Sequence, residues 1–186
     1  MVWIIIGVLA ASLVIYLISL YNQLIQIFVT VDKSWSNIMV LEKQRYDEIP
    51  KLVDVCNGYM KYEQETLQKV TLARTKFLDS KTPGQVAQAG ADLGTALKSL
   101  FAVSENYPDL KANQTFLQLQ QRVSYLENQI RDRREFYNDS VAIFNSRIQQ
   151  IPYVFIANFL NYQQREMYQV SEAERNPQPL NFNVPK

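Results

Sequence analysis

The sequence predicts an all-α protein: an elongated antiparallel bundle of about four helices, with an N-terminal transmembrane helix that runs into the first long helix. Three observations support this fold class. An uncharged apolar stretch opens the chain, four later segments repeat apolar residues at helical spacing, and no segment shows the alternation of a strand. The predicted parts are an anchor over 1–20, a helical body over 21–175 and an extended tail over 176–186.

The anchor is predicted from residues 2–20, VWIIIGVLAASLVIYLISL, which contain no charged side chain. A helix of this length rises about 1.5 Å per residue and spans roughly 30 Å, the thickness of the hydrocarbon core of a bilayer. A cleaved signal peptide is the alternative, but such peptides usually start with basic residues, and none precedes this stretch. Lys33, Lys43 and Arg45 follow the anchor, so the positive-inside rule favours an outer N-terminus and a cytoplasmic body.

Composition excludes several classes of function. The 19 basic and 18 acidic side chains nearly cancel, so there is no electrostatic argument for nucleic acid as a partner. The chain has no histidine, which excludes histidine-dependent triads, histidine-ligated zinc and the Glu-x-x-His di-iron site of helical bundles. The single cysteine, Cys56, cannot form an internal disulfide, so cysteine usage does not indicate whether the protein lies in a reducing or an oxidising compartment.

The first half of the body shows two helical segments. An apolar stripe over 31–77 ends before the helix-breaking sequence DSKTPG. No turn residues separate the anchor from this stripe, so we expect one continuous rod over 21–79. The second segment, 85–106, is rich in alanine, and its Gly90 and Gly94 would allow a neighbouring helix to approach closely.

The second half of the body shows two further helical segments. The third begins near Asn113 and carries an apolar stripe that Pro152 interrupts. The fourth, YVFIANFLNYQQREMYQVSEAE, is predicted to continue as helix to about Glu174. The tail NPQPLNFNVPK has three prolines and no periodicity, so we expect it to be extended, with Phe182 docking onto the bundle or onto another subunit.

Two six-residue stretches resemble each other. RYDEIP ends at Pro50 and RIQQIP ends at Pro152, and each begins with an arginine, Arg45 or Arg147. Both lie in long segments with an apolar stripe. We interpret them as one local device, a proline bend with an arginine about one turn before it.

Arg45 is unusual because it falls on the apolar stripe. Glu42 lies three residues earlier on the same helical face, so the pattern predicts an ion pair that fixes the register of the helix. Arg133 falls on the stripe of the third segment and is expected to meet a carboxylate of the first. The alternative interpretation is a polar functional site in the bundle core.

The remaining candidates favour packing over chemistry. Glu63 and Glu65 are two residues apart and point to different faces, which gives paired-carboxylate catalysis little support. A hard-metal site from Glu42, Glu63 and a later carboxylate stays an alternative, and no metal or cofactor is predicted. Cys56 is expected to fill the core, since no histidine can activate it, and Trp35 to pack in the core or an interface.

Several motifs in family order carry a resemblance. They are YNQL at 21–24, VDKSWSNI at 31–38, QRYDEIPKLVDV at 44–55, GYMKYEQETLQKVTLAR at 58–74, ENYPDLKANQTFLQLQ at 105–120, and the spaced YN, V, FN, I and IP of 137–152. The chain resembles the LemA family of bacterial proteins, and the match covers it nearly from end to end.

The resemblance implies a membrane segment followed by a long-helix bundle, without an established enzymatic activity. Some family members are associated with magnetosome membranes, and others are encoded beside membrane zinc metalloproteases or TPM-domain proteins. Members are generally described with a short outer N-terminus and an inner domain. Other members are lipoproteins with a cysteine directly before the Tyr-Asn pair, and Leu20 in that place excludes lipidation there.

The leading hypothesis is a non-enzymatic, single-pass protein of the bacterial inner membrane that acts as a self-associating scaffold. Its partners would be the lipid bilayer and further copies of the chain. The second hypothesis is an adaptor or regulator of another envelope protein, such as a membrane protease or a TPM-domain protein. The third, an enzyme, would need a carboxylate or metal site inside the bundle.

Overall fold

The computed structural model describes residues 1–168, so the predicted tail and the end of the fourth segment lie outside the described part. Every regular element within residues 1–168 is a helix, which confirms the all-α prediction and its long apolar first helix. The elements are α1 (Val2–Asn57), α2 (Gln64–Leu78), α3 (Pro83–Ser104), α4 (Pro108–Ala112), α5 (Gln114–Arg147) and α6 (Tyr153–Phe159).

The chain divides into two compact units, and the longest helices, α1 and α5, contribute residues to both. The first unit contains Met1–Leu41 and Gln129–Met167. Its core is aromatic: the ring of Phe28 stacks on Tyr162 with centroids 4.7 Å apart, and Phe144 lies 5.8 Å from Phe28. Other buried apolar side chains of this unit are Leu24, Val31, Ile38, Ile130, Tyr137, Val141 and Ile148.

The second unit contains Glu42–Asn128 together with Tyr168. The ring of Tyr46 on α1 stacks on Phe77 of α2 with centroids 3.7 Å apart, and α2 packs along α3. Apolar side chains recur every three or four residues on the buried faces, as expected for amphipathic helices. The buried set includes Ile49, Leu52, Cys56, Leu67, Val70, Leu93, Leu97, Leu100, Phe116, Val123 and Leu126.

The continuous rod expected over 21–79 is wrong, because α1 ends at Asn57 and α2 begins only at Gln64. Gly58 follows the end of α1 and has a low helix propensity. The amide groups of Gly58 and Tyr59 donate to carbonyls three residues back, at 3.3 and 3.0 Å, so the last turn tightens. Met60 is then fully buried, which stabilises this break in the helix by packing.

The predicted second segment is confirmed as α3, and its start has a complete capping box. The hydroxyl of Thr82 accepts from the amide of Gln85, whose side-chain oxygen accepts from the amide of Thr82, and Pro83 occupies the first helical position. Gly90 is buried, whereas a Cβ on Gly94 would meet no atom within 4 Å. Close helix approach therefore does not explain Gly94.

The third predicted segment corresponds to α5, and Asn113 caps its first turn. The side-chain oxygen of Asn113 accepts from the amide of Phe116 at 3.0 Å, and its amide group donates to the hydroxyl of Tyr59 at 3.1 Å. α5 ends at Arg147, a few residues before the Ile151–Pro152 peptide, which is cis.

The fourth helical segment was predicted too long, because α6 ends at Phe159. Asn161 adopts a left-handed conformation with φ of 53°. The amide of Tyr162 donates to the carbonyl of Ala157 at 2.9 Å, and that of Asn161 to Asn158 at 3.1 Å. These bonds form a Schellman motif, in which asparagine takes the position that glycine usually occupies. Residues 162–168 continue without helix.

Candidate functional site

The most polar part of the second unit's core is an ion pair on α1. Nη2 of Arg45 lies 2.8 Å from Oε2 of Glu42, three residues earlier on the same helix. The side chains are 3% and 0% exposed, so the two charges are removed from water together. The sequence-based prediction of an ion pair between these residues agrees with this geometry.

Further groups hold the Arg45 guanidinium. Oε1 of Glu127 on α5 lies 3.8 Å from Nη1, and the ring centroid of Tyr46 lies 5.4 Å from Cζ. Burial by itself would lower the pKa of Arg45, but the charge of Glu42, with Tyr46 and Glu127, outweighs burial and raises this pKa. Arg45 is therefore a permanent cation inside the unit.

Tyr168 completes the cluster from a distant part of the chain. Its buried hydroxyl donates to Oε1 of Glu42 at 3.1 Å and also lies 3.4 Å from the carbonyl oxygen of Val86 on α3. The Glu42 carboxylate thus has a cation on one oxygen and a hydroxyl donor on the other. Such groups offset the large cost of burying a charge.

The cluster joins elements of the second unit, and its central pair, Glu42 and Arg45, is closed off from solvent, whereas Glu127 is partly exposed at its edge. Glu42 and Arg45 lie on α1, Glu127 on α5, and Tyr168 beyond α6. A general acid or base must reach the substrate, and the carboxylate of Glu42 is fully buried. The arrangement therefore supports a structural role for the pair.

The proline bend predicted for both RYDEIP and RIQQIP is not common to the two stretches. Pro50 lies inside α1, as predicted. Pro152 instead lies between α5 and α6, where it precedes the first residue of α6, so the prediction of a second in-helix bend is wrong. Arg147 instead contacts the first residue of α6, with Cζ 4.8 Å from the ring centroid of Tyr153.

Arg133 is exposed on α5, and within residues 1–168 the structure gives it no ion pair with α1. The prediction that it meets a carboxylate of the first segment is therefore wrong. Arg134 is the partly buried arginine of this turn, because the buried face runs from Ile130 to Tyr137 through position 134. Glu127, which the sequence did not single out, supplies the interhelical contact instead.

Trp35 lies half-buried on α1 in the first unit. Its ring centroid is 5.4 Å from that of Tyr137 on α5, and the planes are tilted by 47°. This contact agrees with packing between helices, as the sequence predicted.

The described residues, 1–168, contain no group of three or more acidic or cysteine side chains close enough to hold a metal ion. The carboxylate of Glu42, which the metal hypothesis needed, faces Arg45 and Tyr168 instead. Both contacts bring a hydrogen-bond donor to the carboxylate, in the place where a metal ion would have to bind.

Cys56 is fully buried, and burial raises the pKa of its thiol to about 11. A shift of this size leaves roughly 100-fold less reactive thiolate at pH 8 than in an exposed cysteine.

We expect a maleimide to leave the folded protein unlabelled and to add one label after denaturation, measured by intact mass. The Ser99→Cys variant is the control, since its exposed thiol should add one label when folded and two when unfolded. Rapid labelling of the folded wild type would contradict the expectation.

The first part of α1 differs from the rest of the helix. Residues 1–19 are all exposed, and Leu20 is the first buried side chain of the chain. By length and composition this part is able to cross a membrane. Beside its end lies an apolar groove lined by Leu17, Ile18, Tyr21, Phe155, Ile156 and Phe159.

These features define an all-α protein whose first helix has an exposed apolar stretch and, further along, a buried ion pair. The family model described as the LemA family matches residues 34–182. The chain belongs to the LemA family.

Curated relatives agree with this assignment. Protein LemA of Metamycoplasma hominis is 31% identical over 158 residues, which cover 83% of this chain and 71% of that protein. Magnetosome protein MamQ 2 of Paramagnetospirillum magneticum is 31% identical over 96 residues, 50% of this chain and 35% of its own length. Magnetosome protein MamQ of Magnetospirillum gryphiswaldense is 22% identical over 195 residues, covering 89% and 72%.

Proposed function

We propose that this chain is a non-enzymatic, single-pass protein of the bacterial inner membrane that acts as a scaffold by associating with copies of itself. The observation that carries the proposal is the bare apolar stretch of residues 1–19, which belongs to the same helix as the residues that open the packed body. A helix of this kind is stable in a bilayer because its backbone groups bond to one another within the helix and need no water. The lysines and arginine after it favour a cytoplasmic body.

Exposed apolar side chains outside the anchor support self-association. Phe136 and Ile143 are exposed on α5 and, seven residues apart, lie on one side of the helix. Val29 and Val40 are exposed on α1. Aromatic side chains such as Phe136 are enriched in the cores of protein–protein interfaces. Anchoring in one membrane confines the copies to a plane and raises their effective concentration.

The buried ion pair and the comparisons support the absence of catalysis. Glu42 and Arg45 are closed off from solvent by their own neighbours, so the most polar part of the core serves packing. Neither the family description nor the names of the relatives include an enzymatic activity. A scaffold needs an interaction surface and a fixed location, which the exposed side chains of α5 and the apolar stretch of α1 would supply.

Self-association is tested by cross-linking the full chain in liposomes over a range of lipid-to-protein ratios. We expect dimers or larger species that persist on dilution with lipid, and a several-fold loss of them in the Phe136→Ser/Ile143→Ser variant. Asp132→Asn/Asp139→Asn is the matched control, because these exposed positions have the same spacing on the same helix. Monomer at every ratio would disprove the scaffold hypothesis.

The adaptor hypothesis makes a different prediction for the same protein. Purification from native membranes in mild detergent would then recover another membrane protein, such as a protease or a TPM-domain protein, in a stoichiometric complex. Recovery of the chain in complexes with itself alone would favour the scaffold.

A further inference from the structure

α6 has one buried face and one bare apolar face. Tyr153 and Ala157 are buried, four residues apart. Phe155 and Phe159, also four residues apart on α6, are 68% and 84% exposed, and Ile151, two residues before the helix, is 79% exposed. Three large apolar side chains this exposed, within nine residues, would cost the folded protein free energy if water covered them.

The position of α6 along α1 is fixed by a specific contact. The hydroxyl of Tyr153 donates to the side-chain oxygen of Gln23 on α1 at 2.7 Å. Gln23 lies one turn beyond the bare part of α1, which ends at Ser19. The exposed face of α6 therefore lies level with the end of that bare part.

The groove beside α6 is continuous with the anchor. Leu17 and Ile18, in the last turn of the bare stretch, line one side, and Phe155 and Phe159 of α6 line the other. When the anchor crosses a bilayer, its last turn lies where acyl chains meet headgroups. The groove and the exposed face of α6 then contact that same layer.

The polar groups around α6 suit the boundary between lipid and water. The guanidinium of Arg147 lies 4.8 Å from the ring of Tyr153, whose hydroxyl bonds to Gln23. A cation and a tyrosine hydroxyl beside an apolar face are typical of helices that lie in the interfacial layer. A lipid headgroup phosphate is the natural counter-ion at this depth.

We infer that α6 is a second membrane contact: a short interfacial helix whose Phe155 and Phe159, together with Ile151 just before it, insert among the acyl chains of the leaflet from which the anchor emerges. The inference rests on the proposed membrane anchor. It adds that the helical body is seated on the bilayer at α6, so the depth and rotation of the anchor are set by two elements. A second copy of the chain is the competing occupant of this face.

The test is depth-dependent quenching of tryptophan fluorescence by lipids brominated near the headgroup or near the middle of the acyl chain. The full chain in the Trp3→Phe/Trp35→Phe background receives one tryptophan, at Phe155 or at Phe159, in phosphatidylcholine–phosphatidylglycerol vesicles. Since interfacial helices insert by about 5–10 Å, we expect emission roughly two-fold lower with the shallow label than without bromine. Asp132→Trp, exposed on α5 and about 22 Å along the helix from Arg147, is the unquenched control.

A separate reporter distinguishes this inference from the anchor itself. In the Trp35→Phe variant, Trp3 lies in the bare stretch and is quenched if α1 inserts. Quenching of Trp3 with none at 155 and 159 would overturn the inference and leave the anchor standing. Absence of quenching at Trp3 would overturn both. Emission at 155 and 159 that responds to protein density and not to bromine would assign the face to a second copy and overturn the inference.

Discussion

Replacing Arg45 by methionine is expected to destabilise the protein by about 3–5 kcal/mol, the usual cost of leaving one member of a buried ion pair without its partner. Methionine fills most of the space of the arginine side chain, so the loss would come from the Glu42 carboxylate, which is fully buried and would no longer have a cation beside it. Tyr168 would remain as a hydrogen-bond donor to Glu42 but carries no charge. The free energy of unfolding, from urea denaturation followed by circular dichroism, measures the effect.

Two variants make this prediction specific. Glu42→Leu/Arg45→Met removes both charges and should recover most of the lost free energy, since apolar replacements of buried pairs are often neutral or better. Lys43→Met removes the cation of a neighbouring exposed pair with Asp47, at 2.9 Å, and should change stability by less than about 1 kcal/mol. An Arg45→Met variant that has the same urea midpoint as the wild type and still assembles would disprove the hypothesis that the ion pair fixes the register of the helix.

Placing two lysines in the bare stretch, Leu9→Lys and Leu13→Lys, is expected to abolish stable membrane insertion. Each charge near the middle of a spanning helix costs about 2.5–3.5 kcal/mol on insertion scales, so the pair costs about 5–7 kcal/mol. Both leucines are exposed, so the folded body should be unaffected. The readout is the fraction of the protein that resists extraction from membranes by alkaline carbonate.

The matched control is Leu9→Ala/Leu13→Ala, which changes the same positions without adding charge. It should stay in the membrane fraction, while the lysine variant moves to the soluble fraction or is degraded. Equal resistance of both variants to extraction would show that α1 does not span the bilayer, and the proposed anchor would be wrong.

The all-helical fold was predictable because its causes are local. The uncharged opening stretch, the apolar stripes and the helix-breaking DSKTPG are all visible in the sequence. The ion pair of Glu42 with Arg45 was predictable for the same reason, since residues three apart on a helix must meet.

The errors have physical reasons as well. Gly58 is a weak signal by itself, and the break after α1 also depends on Met60 entering the core. The left-handed Asn161 ends α6 within a segment whose apolar pattern would fit a longer helix. For Arg133, an apolar stripe fits helical steps of three and of four residues equally well. The structure places Arg134, and not Arg133, partly inside.

The rest of the buried cluster depends on tertiary packing. Glu127 and Tyr168 meet Arg45 and Glu42 across large separations in sequence. A single sequence gives no measure of which distant residues pair, so neither residue was singled out. Their contribution became visible only with the fold.

The hydrogen bond from Tyr168 to Glu42 also has a consequence for biogenesis, because the two residues are 126 positions apart. During synthesis the N-terminal part of the chain, including Glu42, emerges first. The Glu42 carboxylate cannot receive its hydroxyl donor until Tyr168 has been translated. Completion of the core therefore comes late in translation, and contacts this distant in sequence are slow to form. Until then the buried carboxylate of the nascent chain lacks the tyrosine donor that it has in the folded protein.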